Sequence, residues 1–251
     1  MIARLLAFGF IVLEASVLAQ AAPPSDTNAI DPNYFQSEFE IVNESDPVHV
    51  ALLDYKEGKF QEALDALSVK GEPVTLDTKG VILKSRILTE LKQYDEGEKM
   101  LRSQLAGPDT VAIQAAIGDL LLHKRSFARA AKYYGAVLKA KPNDPDTMLK
   151  LVYAQIGAGD LVTAGQTASQ LTPLDPKNPY DDHASYYFAQ AAIAQAAGKP
   201  QEAQDQIQAA RTNYGITVTN RYLKTYLQVF ESSEKNSSTD ITPAPRVQSA
   251  K

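Results

Sequence analysis

A small residue that recurs at a nearly constant interval through the middle of the chain restricts the fold more than any other feature. The small residues are Ala63, Gly97, Ala130 and Ala164, at spacings of 34, 33 and 34 residues, and each is followed four positions later by an apolar or small residue. Such an interval indicates an array of similar units that bury their apolar faces only by stacking on one another. Each small residue is also preceded, by three positions, by Phe60, Tyr94, Phe127 or Leu161.

A fifth unit follows after an insertion. Gly198 precedes Ala203, which lies 39 residues after Ala164, so a longer connection is expected between the fourth and fifth units. Pro142 and Pro176 each follow a small residue of the array by twelve positions. Because proline cannot continue a helix, these two prolines indicate where the second helix of a unit ends. Glycines are expected in the turns within the hairpins, at Gly58, Gly159 and Gly198.

These residue types and spacings resemble the tetratricopeptide repeat, a helix–turn–helix unit of 34 residues, over about residues 44–215. The chain is identified as a secreted, bacterial-type member of that family, although it has no tryptophan, which often opens such a repeat. The resemblance implies an all-α fold, a right-handed solenoid of about five stacked antiparallel helix hairpins. The repeat-packing anchors are Phe60, Ala63, Tyr94, Gly97, Gly118, Phe127, Ala130, Tyr134, Pro142, Ala164, Pro176 and Ala203.

The N-terminus has the layout of a secretory signal peptide. Arg4 precedes a nine-residue apolar run that ends at Leu13, and small residues at Ala19 and Ala21 suit a signal peptidase. The run is too short to span a bilayer, which needs about 20 apolar residues. We therefore expect residues 1–21 to be removed, leaving an exported protein, periplasmic or secreted, without a stable membrane span. The alternatives are an uncleaved anchor and an apolar first helix of the fold.

The two flanks of the repeat array differ from it in composition. Residues 22–50 hold six acidic side chains and no lysine or arginine, which predicts an acidic, partly flexible lead-in over residues 22–43. The last residues are rich in Ser, Thr and Pro, which predicts a disordered tail over residues 236–251. The net charge of −5 argues against a nucleic-acid binder.

An amphipathic stretch lies between the last repeat and the tail. Its apolar residues follow a helical period, which predicts a capping helix over residues 216–235 that covers the end of the array. The alternative is a detachable amphipathic helix that inserts into a partner or a membrane. Residues 33–42 have a similar pattern and are expected to cap the other end. The apolar residues of the C-terminal stretch are Tyr222, Leu223, Tyr226, Leu227, Val229 and Phe230.

Motifs for catalysis or for cofactor binding are lacking in the sequence. There is no cysteine, so disulfides, iron–sulfur centres and cysteine nucleophiles are excluded. There is also no phosphate-binding loop, dinucleotide fingerprint, zinc-protease helix or hydrolase elbow. Asp181, Asp182 and His183 suit the start of a helix better than a metal site, because a helix directs three consecutive side chains differently. His123 is expected at the end of a helix. We therefore expect no catalytic residue, no cofactor and no metal.

The resemblance implies that the first helices of the hairpins line a concave groove that receives a peptide. Family members that bind the C-terminal carboxylate of a peptide use a lysine and an asparagine in this groove. Apolar residues stand at or near those positions here, so carboxylate binding is not supported. The groove is expected to be apolar and aromatic, with Arg86 and Asp119 as isolated charges. The candidate groove residues are Leu52, Tyr55, Ile82, Arg86, Asp119, Leu122, Tyr153, Ile156 and Phe188. The alternative is that several of them pack against the capping helix or tighten the superhelix.

Three functions remain open from the sequence. The leading hypothesis is a non-catalytic scaffold of the cell envelope that binds a protein or peptide partner through this groove. The second is a structural repeat protein that acts by homo-oligomerisation. A more distant alternative is an enzyme that no known motif reveals.

Overall fold

The computed structural model describes residues 46–69, 72–73, 75–173 and 184–237. The predicted signal peptide, the lead-in, Pro176, the Asp181–His183 cluster and residues 238–251 lie outside the described residues. Within the described part the chain forms ten helices, which alternate between the first and the second helix of a hairpin. They are α1 (Pro47–Lys56), α2 (Phe60–Ala66), α3 (Thr78–Glu90), α4 (Tyr94–Ser103), α5 (Thr110–His123), α6 (Phe127–Ala140), α7 (Pro145–Gly157), α8 (Leu161–Ala168), α9 (Ala184–Ala196) and α10 (Pro200–Ser237).

The helix starts follow from short polar side chains that accept hydrogen bonds from backbone N–H groups of the first turn. Asp46, Asp77 and Asp160 accept in this way at the starts of α1, α3 and α8. Asp144 precedes α7 in the same manner but makes no such bond to the backbone. Its carboxylate instead accepts from the hydroxyl of Thr147, while its backbone is extended as at a normal helix start.

The turn inside each hairpin contains one residue with a positive φ angle. These residues recur with the same spacing as the small residues of the array, which shows that every unit closes in the same way. Glycine occupies three of the five positions, as predicted, because it adopts a positive φ without steric strain. The five residues are Gly58, Lys92, Arg125, Gly159 and Gly198.

The small residues of the array are buried where helices press together. Ala63, Ala130 and Ala164 are fully buried, and Ala203 nearly so. Gly97 replaces alanine because a Cβ there would lie 2.8 Å from Cδ1 of Leu120. The first helix of the next hairpin therefore approaches more closely at this point than an alanine would allow.

The aromatic anchors fill the spaces between helices. Tyr134 is fully buried against Gly118, and the ring of Phe127 packs on Gly157 of the next unit, where a Cβ would lie 2.5 Å from the ring. Phe60 and Tyr94 are half-buried. The remaining described anchor, Pro142, is exposed just after α6, so it ends that helix rather than packing in the core.

The all-α prediction is confirmed, with one small addition and one break. Ser68–Val69 (β1) pairs antiparallel with Glu72–Pro73 (β2) between the first two hairpins. In α10, Gly215 has non-helical angles, φ 76° and ψ 172°, which divide the helix into two rods. We call residues 216–237 the C-terminal segment. Among the described helices, none is both long enough and apolar enough to cross a bilayer.

Candidate functional site: the inner groove of the helix array

The inner face of the array is formed by the first helices of the hairpins. The first helices of consecutive hairpins contact one another. For example, α3 contacts α5, and α7 contacts α9. The second helix of each hairpin packs behind its own first helix. We call the face of α1, α3, α5, α7 and α9 on which the C-terminal segment lies the inner groove.

The C-terminal segment runs along this groove instead of ending the array as an outer cap. The hydroxyl of Tyr222 donates a 2.8 Å hydrogen bond to Asp146 at the start of α7. Lys224 Nζ lies 3.0 Å from Oε1 of Glu90 at the end of α3. The segment therefore reaches back from the fifth hairpin to the second.

The floor of the groove beneath the segment is aromatic. The ring centroid of Tyr153 lies 6.4 Å from that of Tyr226 and 6.2 Å from that of Phe230. Phe188 stacks on Tyr222 with centroids 5.5 Å apart. Both floor residues are fully buried. Tyr153 and Phe188, expected on an open binding face, are therefore covered by the chain's own helix, because their apolar rings match its aromatic row.

Three further candidate groove residues contribute to the core rather than to an open surface. Leu52 is buried between α1, α2 and α3, in one cluster with Ala63, Leu67, Leu83 and Ile87. Ile82 and Ile156 are half-buried and pack against the main core. These residues support the groove from behind.

The remaining four candidates lie together around an open cavity. Tyr55, Arg86, Asp119 and Leu122 come from α1, α3 and α5, and the cavity has a volume of about 120 Å³. It continues the groove beyond the C-terminal segment, whose Thr225 forms part of its wall. The wall has three further charged or titratable members that were not predicted from the sequence, and these are Glu90, His123 and Lys150.

Asp119 is the centre of the polar network in this cavity, not an isolated charge. It accepts a 2.8 Å hydrogen bond from the hydroxyl of Tyr134 and lies 2.9 Å from Nζ of Lys150. Burial acts to raise the pKa of Asp119, but Lys150, Tyr134 and Arg86 outweigh it, and the pKa is lowered. Lys150 comes 31 residues after Asp119, nearly one repeat further on, which is the only sequence signal for this pair.

His123, at the end of α5, links the cavity to the C-terminal segment. Its Nδ1 lies 2.7 Å from Nε2 of Gln228. With the amide nitrogen as donor, Nδ1 accepts and the imidazole is neutral. Burial lowers the pKa of His123, although Asp119 and Glu90 act in the opposite direction. The helix-end position of this histidine was predicted, but its contact with the segment was not.

The chemistry that this arrangement offers is recognition. In the part of the chain that the structure describes, no group of three or more His, Asp or Glu side chains is placed to hold a metal ion. The cavity presents cations, anions and hydroxyl groups beside an apolar groove. Such a mixture suits a partner that brings both polar side chains and an apolar face.

Comparison with known proteins agrees with this architecture. Residues 121–193, from the end of α5 into α9, match the family model of the tetratricopeptide repeat. These residues form a tetratricopeptide-repeat region. Two solved structures of tetratricopeptide-repeat proteins share the fold of this chain, each with a TM-score of 0.54 and 15% identity.

The first of these structures is a thermophilic TPR protein of Thermus thermophilus, for which the match covers 74% of this chain and all of that one. The second, from Parabacteroides merdae, is matched over 78% of this chain and 75% of that one. A protein of Escherichia coli O157:H7 named putative cellulose synthase operon protein C is 30% identical over 100 residues, 40% of this chain. The chain spans only 8% of the length of that relative.

Proposed function

We propose that this protein is a non-catalytic scaffold that holds a protein partner through its inner groove. The observation that carries the proposal is the open cavity at Tyr55, Arg86 and Asp119, which extends a groove already shaped to fit a helix. Concave faces of solenoids are the usual binding surfaces of repeat proteins. The tetratricopeptide-repeat fold itself is generally one of protein–protein interaction.

The size of the cavity favours a macromolecular partner over a free small molecule. Pockets that enclose a small ligand usually measure about 300–1,000 Å³, well above the volume found here. A space of this size fits one or two side chains. The cavity is therefore expected to receive the polar side chains of a partner whose apolar face lies along the rest of the groove.

We further propose that the scaffold acts in the cell envelope. The support is the layout of residues 1–21, with Arg4, the apolar run and the small residues at Ala19 and Ala21. The name of the Escherichia coli relative links that protein to a cellulose synthase operon. Because the similarity is confined to 100 residues, it gives only a reason to include envelope polysaccharide-synthesis proteins among the partners tested.

The test is a pulldown with the full chain from envelope extracts of the source organism, using Arg86→Glu in the groove. The matched control is Lys139→Glu, which makes a similar charge change at an exposed position of α6, the second helix of its hairpin. We expect partner recovery to fall at least tenfold for Arg86→Glu and to stay unchanged for the control. Circular dichroism confirms that both variants fold. Equal recovery with both variants would refute binding through the groove.

Sedimentation velocity distinguishes binding of another protein from homo-oligomerisation through the same groove. A scaffold for another protein is expected to sediment as a monomer at micromolar concentration. A dimer that the Arg86→Glu change dissociates would instead identify a second copy as the partner.

A further inference from the structure

We propose that the C-terminal segment occupies the inner groove and can be displaced from it by the partner. The partner is then an amphipathic helix with aromatic side chains at the positions that correspond to Tyr222, Tyr226 and Phe230. The inference rests on the proposed function, because it names the kind of partner that the groove accepts. The partner gains access when the segment rotates away about Gly215.

The pattern of the segment defines the chemistry of the partner. Tyr222, Tyr226 and Phe230 are spaced four residues apart, so they lie on one face of the helix. That face meets the rings of Tyr153 and Phe188 at centroid distances of 5.5 to 6.4 Å. This is the way in which a helix binds in a groove through regularly spaced anchors.

A basic residue completes the pattern. Lys224, two positions after the first aromatic residue, pairs with Glu90 at the end of α3. Glu90 belongs to the wall of the open cavity, next to Arg86 and Asp119. A partner helix is therefore expected to carry a lysine or arginine two residues after its first aromatic side chain.

The fit of the segment is incomplete, although its Tyr222, Tyr226 and Val229 are buried with the main core. The buried hydroxyl of Tyr153 has no hydrogen-bond partner among the residues that the structure describes. Between the segment and α7 there is also an open cavity of about 140 Å³, bordered by Leu149, Tyr153 and Tyr222. Protein cores are normally close-packed and their buried polar groups bonded. A partner that fills this space and accepts from Tyr153 would bind more favourably than the segment.

The connection to the rest of the chain allows the segment to move as one unit. Gly215 alone departs from helical geometry within α10, and a Cβ at this position would meet no atom within 4 Å. A rotation at this one residue therefore separates the two rods without breaking the fifth hairpin. Such single-residue joints are typical hinges.

The experiment uses a fluorescein-labelled peptide of residues 216–237 as the probe and the full chain as the receptor. In the wild type, the attached segment competes with the peptide and reduces its apparent affinity. In a full chain carrying Tyr226→Ala and Phe230→Ala, the segment is weakened and the groove is more often open. We expect the peptide to bind this variant at least tenfold more tightly than the wild type. A peptide with the same two alanines is the matched control and is expected to bind neither chain.

Cross-linking tests the opposite case, in which the C-terminal segment is held in the groove. Because the chain has no cysteine, Glu90→Cys and Lys224→Cys can be joined by a short bismaleimide that holds the segment in place. The linked chain is expected to lose binding of the peptide. The control is a chain linked through Asp95→Cys and Lys124→Cys, a 2.5 Å pair between α4 and the end of α5, which should bind like the wild type.

Several outcomes would overturn the inference. One is equal affinity of the peptide for the wild type and the Tyr226→Ala, Phe230→Ala chain, and another is peptide binding that the Glu90–Lys224 link does not reduce. A wild-type dimer that this link abolishes would mean that the segment is exchanged between copies. The pulldown with Arg86→Glu tests the groove separately. If the peptide does not bind, the displacement of the segment is refuted, and the proposed function of the groove is decided by the pulldown.

Discussion

The ring of Tyr134 lies directly against the backbone of Gly118, so that a Cβ at Gly118 would be 2.6 Å from Cε1 of the tyrosine. The two residues belong to α5 and α6, the two helices of the third hairpin. The hydroxyl of the same tyrosine donates to Asp119, the residue that follows Gly118. The close approach of these helices therefore both packs the hairpin and orients the carboxylate of the groove.

Substitution of Gly118 tests this packing. Gly118→Ala places a methyl group inside the contact distance of a buried ring that has no room to withdraw, and overpacking of this kind typically costs about 1–3 kcal/mol. We expect the free energy of unfolding, measured in urea, to fall by about 2 kcal/mol. Gly135→Ala is the control, because a Cβ at Gly135 meets nothing within 4 Å. It should stabilise α6 by about 0.5–1 kcal/mol through helix propensity.

Two fully buried tyrosines allow the hydroxyl groups to be compared. The hydroxyl of Tyr134 has a charged acceptor, whereas that of Tyr153 has no partner within the described residues. We expect Tyr134→Phe to lower the free energy of unfolding by about 1–2 kcal/mol, and Tyr153→Phe to raise it by about 1 kcal/mol. Urea denaturation of both variants is the measurement. A loss of stability in Tyr153→Phe would show that this hydroxyl is bonded in solution.

The repeat architecture could be predicted because its signal is local and recurs. Ala63, Ala130 and Ala164 had to be small wherever two helices cross, so their spacing revealed the unit. Gly58 and Gly159 likewise indicated the turns. Lys92 and Arg125 also have a positive φ angle. Their residue types do not predict it, because the packing of the hairpin imposes the turn geometry there.

The groove was only partly predictable. Arg86 and Asp119 could be assigned to the groove from the sequence because a repeat determines which face of a first helix points inward. Both border the open cavity. The burial of Tyr153 and Phe188 under the C-terminal segment was expected only as the alternative, since amphipathicity shows that the segment needs an apolar surface but not which surface it covers. That choice depends on the direction the chain takes at Gly215, a single non-helical residue within a stretch of helical character.

The geometry of Gly215 gives a prediction about the position of the segment. Its φ of 76° with ψ of 172° lies in a region that is essentially restricted to glycine, and other residues there cost about 1–3 kcal/mol. We expect Gly215→Ala to weaken the docking of the segment. Hydrogen exchange should then be faster at the amides of residues 222–230 and unchanged in α5 and α6. Gly165→Ala in α8 is the control, since its φ is not positive and a Cβ there meets no atom within 4 Å.

Acid should weaken the contact between the C-terminal segment and α5 through His123. Burial lowers the pKa of this histidine below its ordinary value of about 6.5. As the pH falls through about 6.5, the unfolded chain takes up a proton before the folded chain does, so the free energy of unfolding decreases. Protonation also puts a hydrogen on Nδ1, which then faces the amide nitrogen of Gln228 instead of accepting from it. Above the ordinary pKa both states are neutral and this contribution is fully present.

The measurement is urea denaturation at about pH 7.5 and about pH 5.5, one unit on either side of the ordinary histidine pKa. Asp119, whose pKa is lowered, stays ionised at both. We expect the wild type to lose stability on acidification and His123→Gln to lose less. Equal losses in the wild type and His123→Gln would show that burial does not keep this histidine neutral.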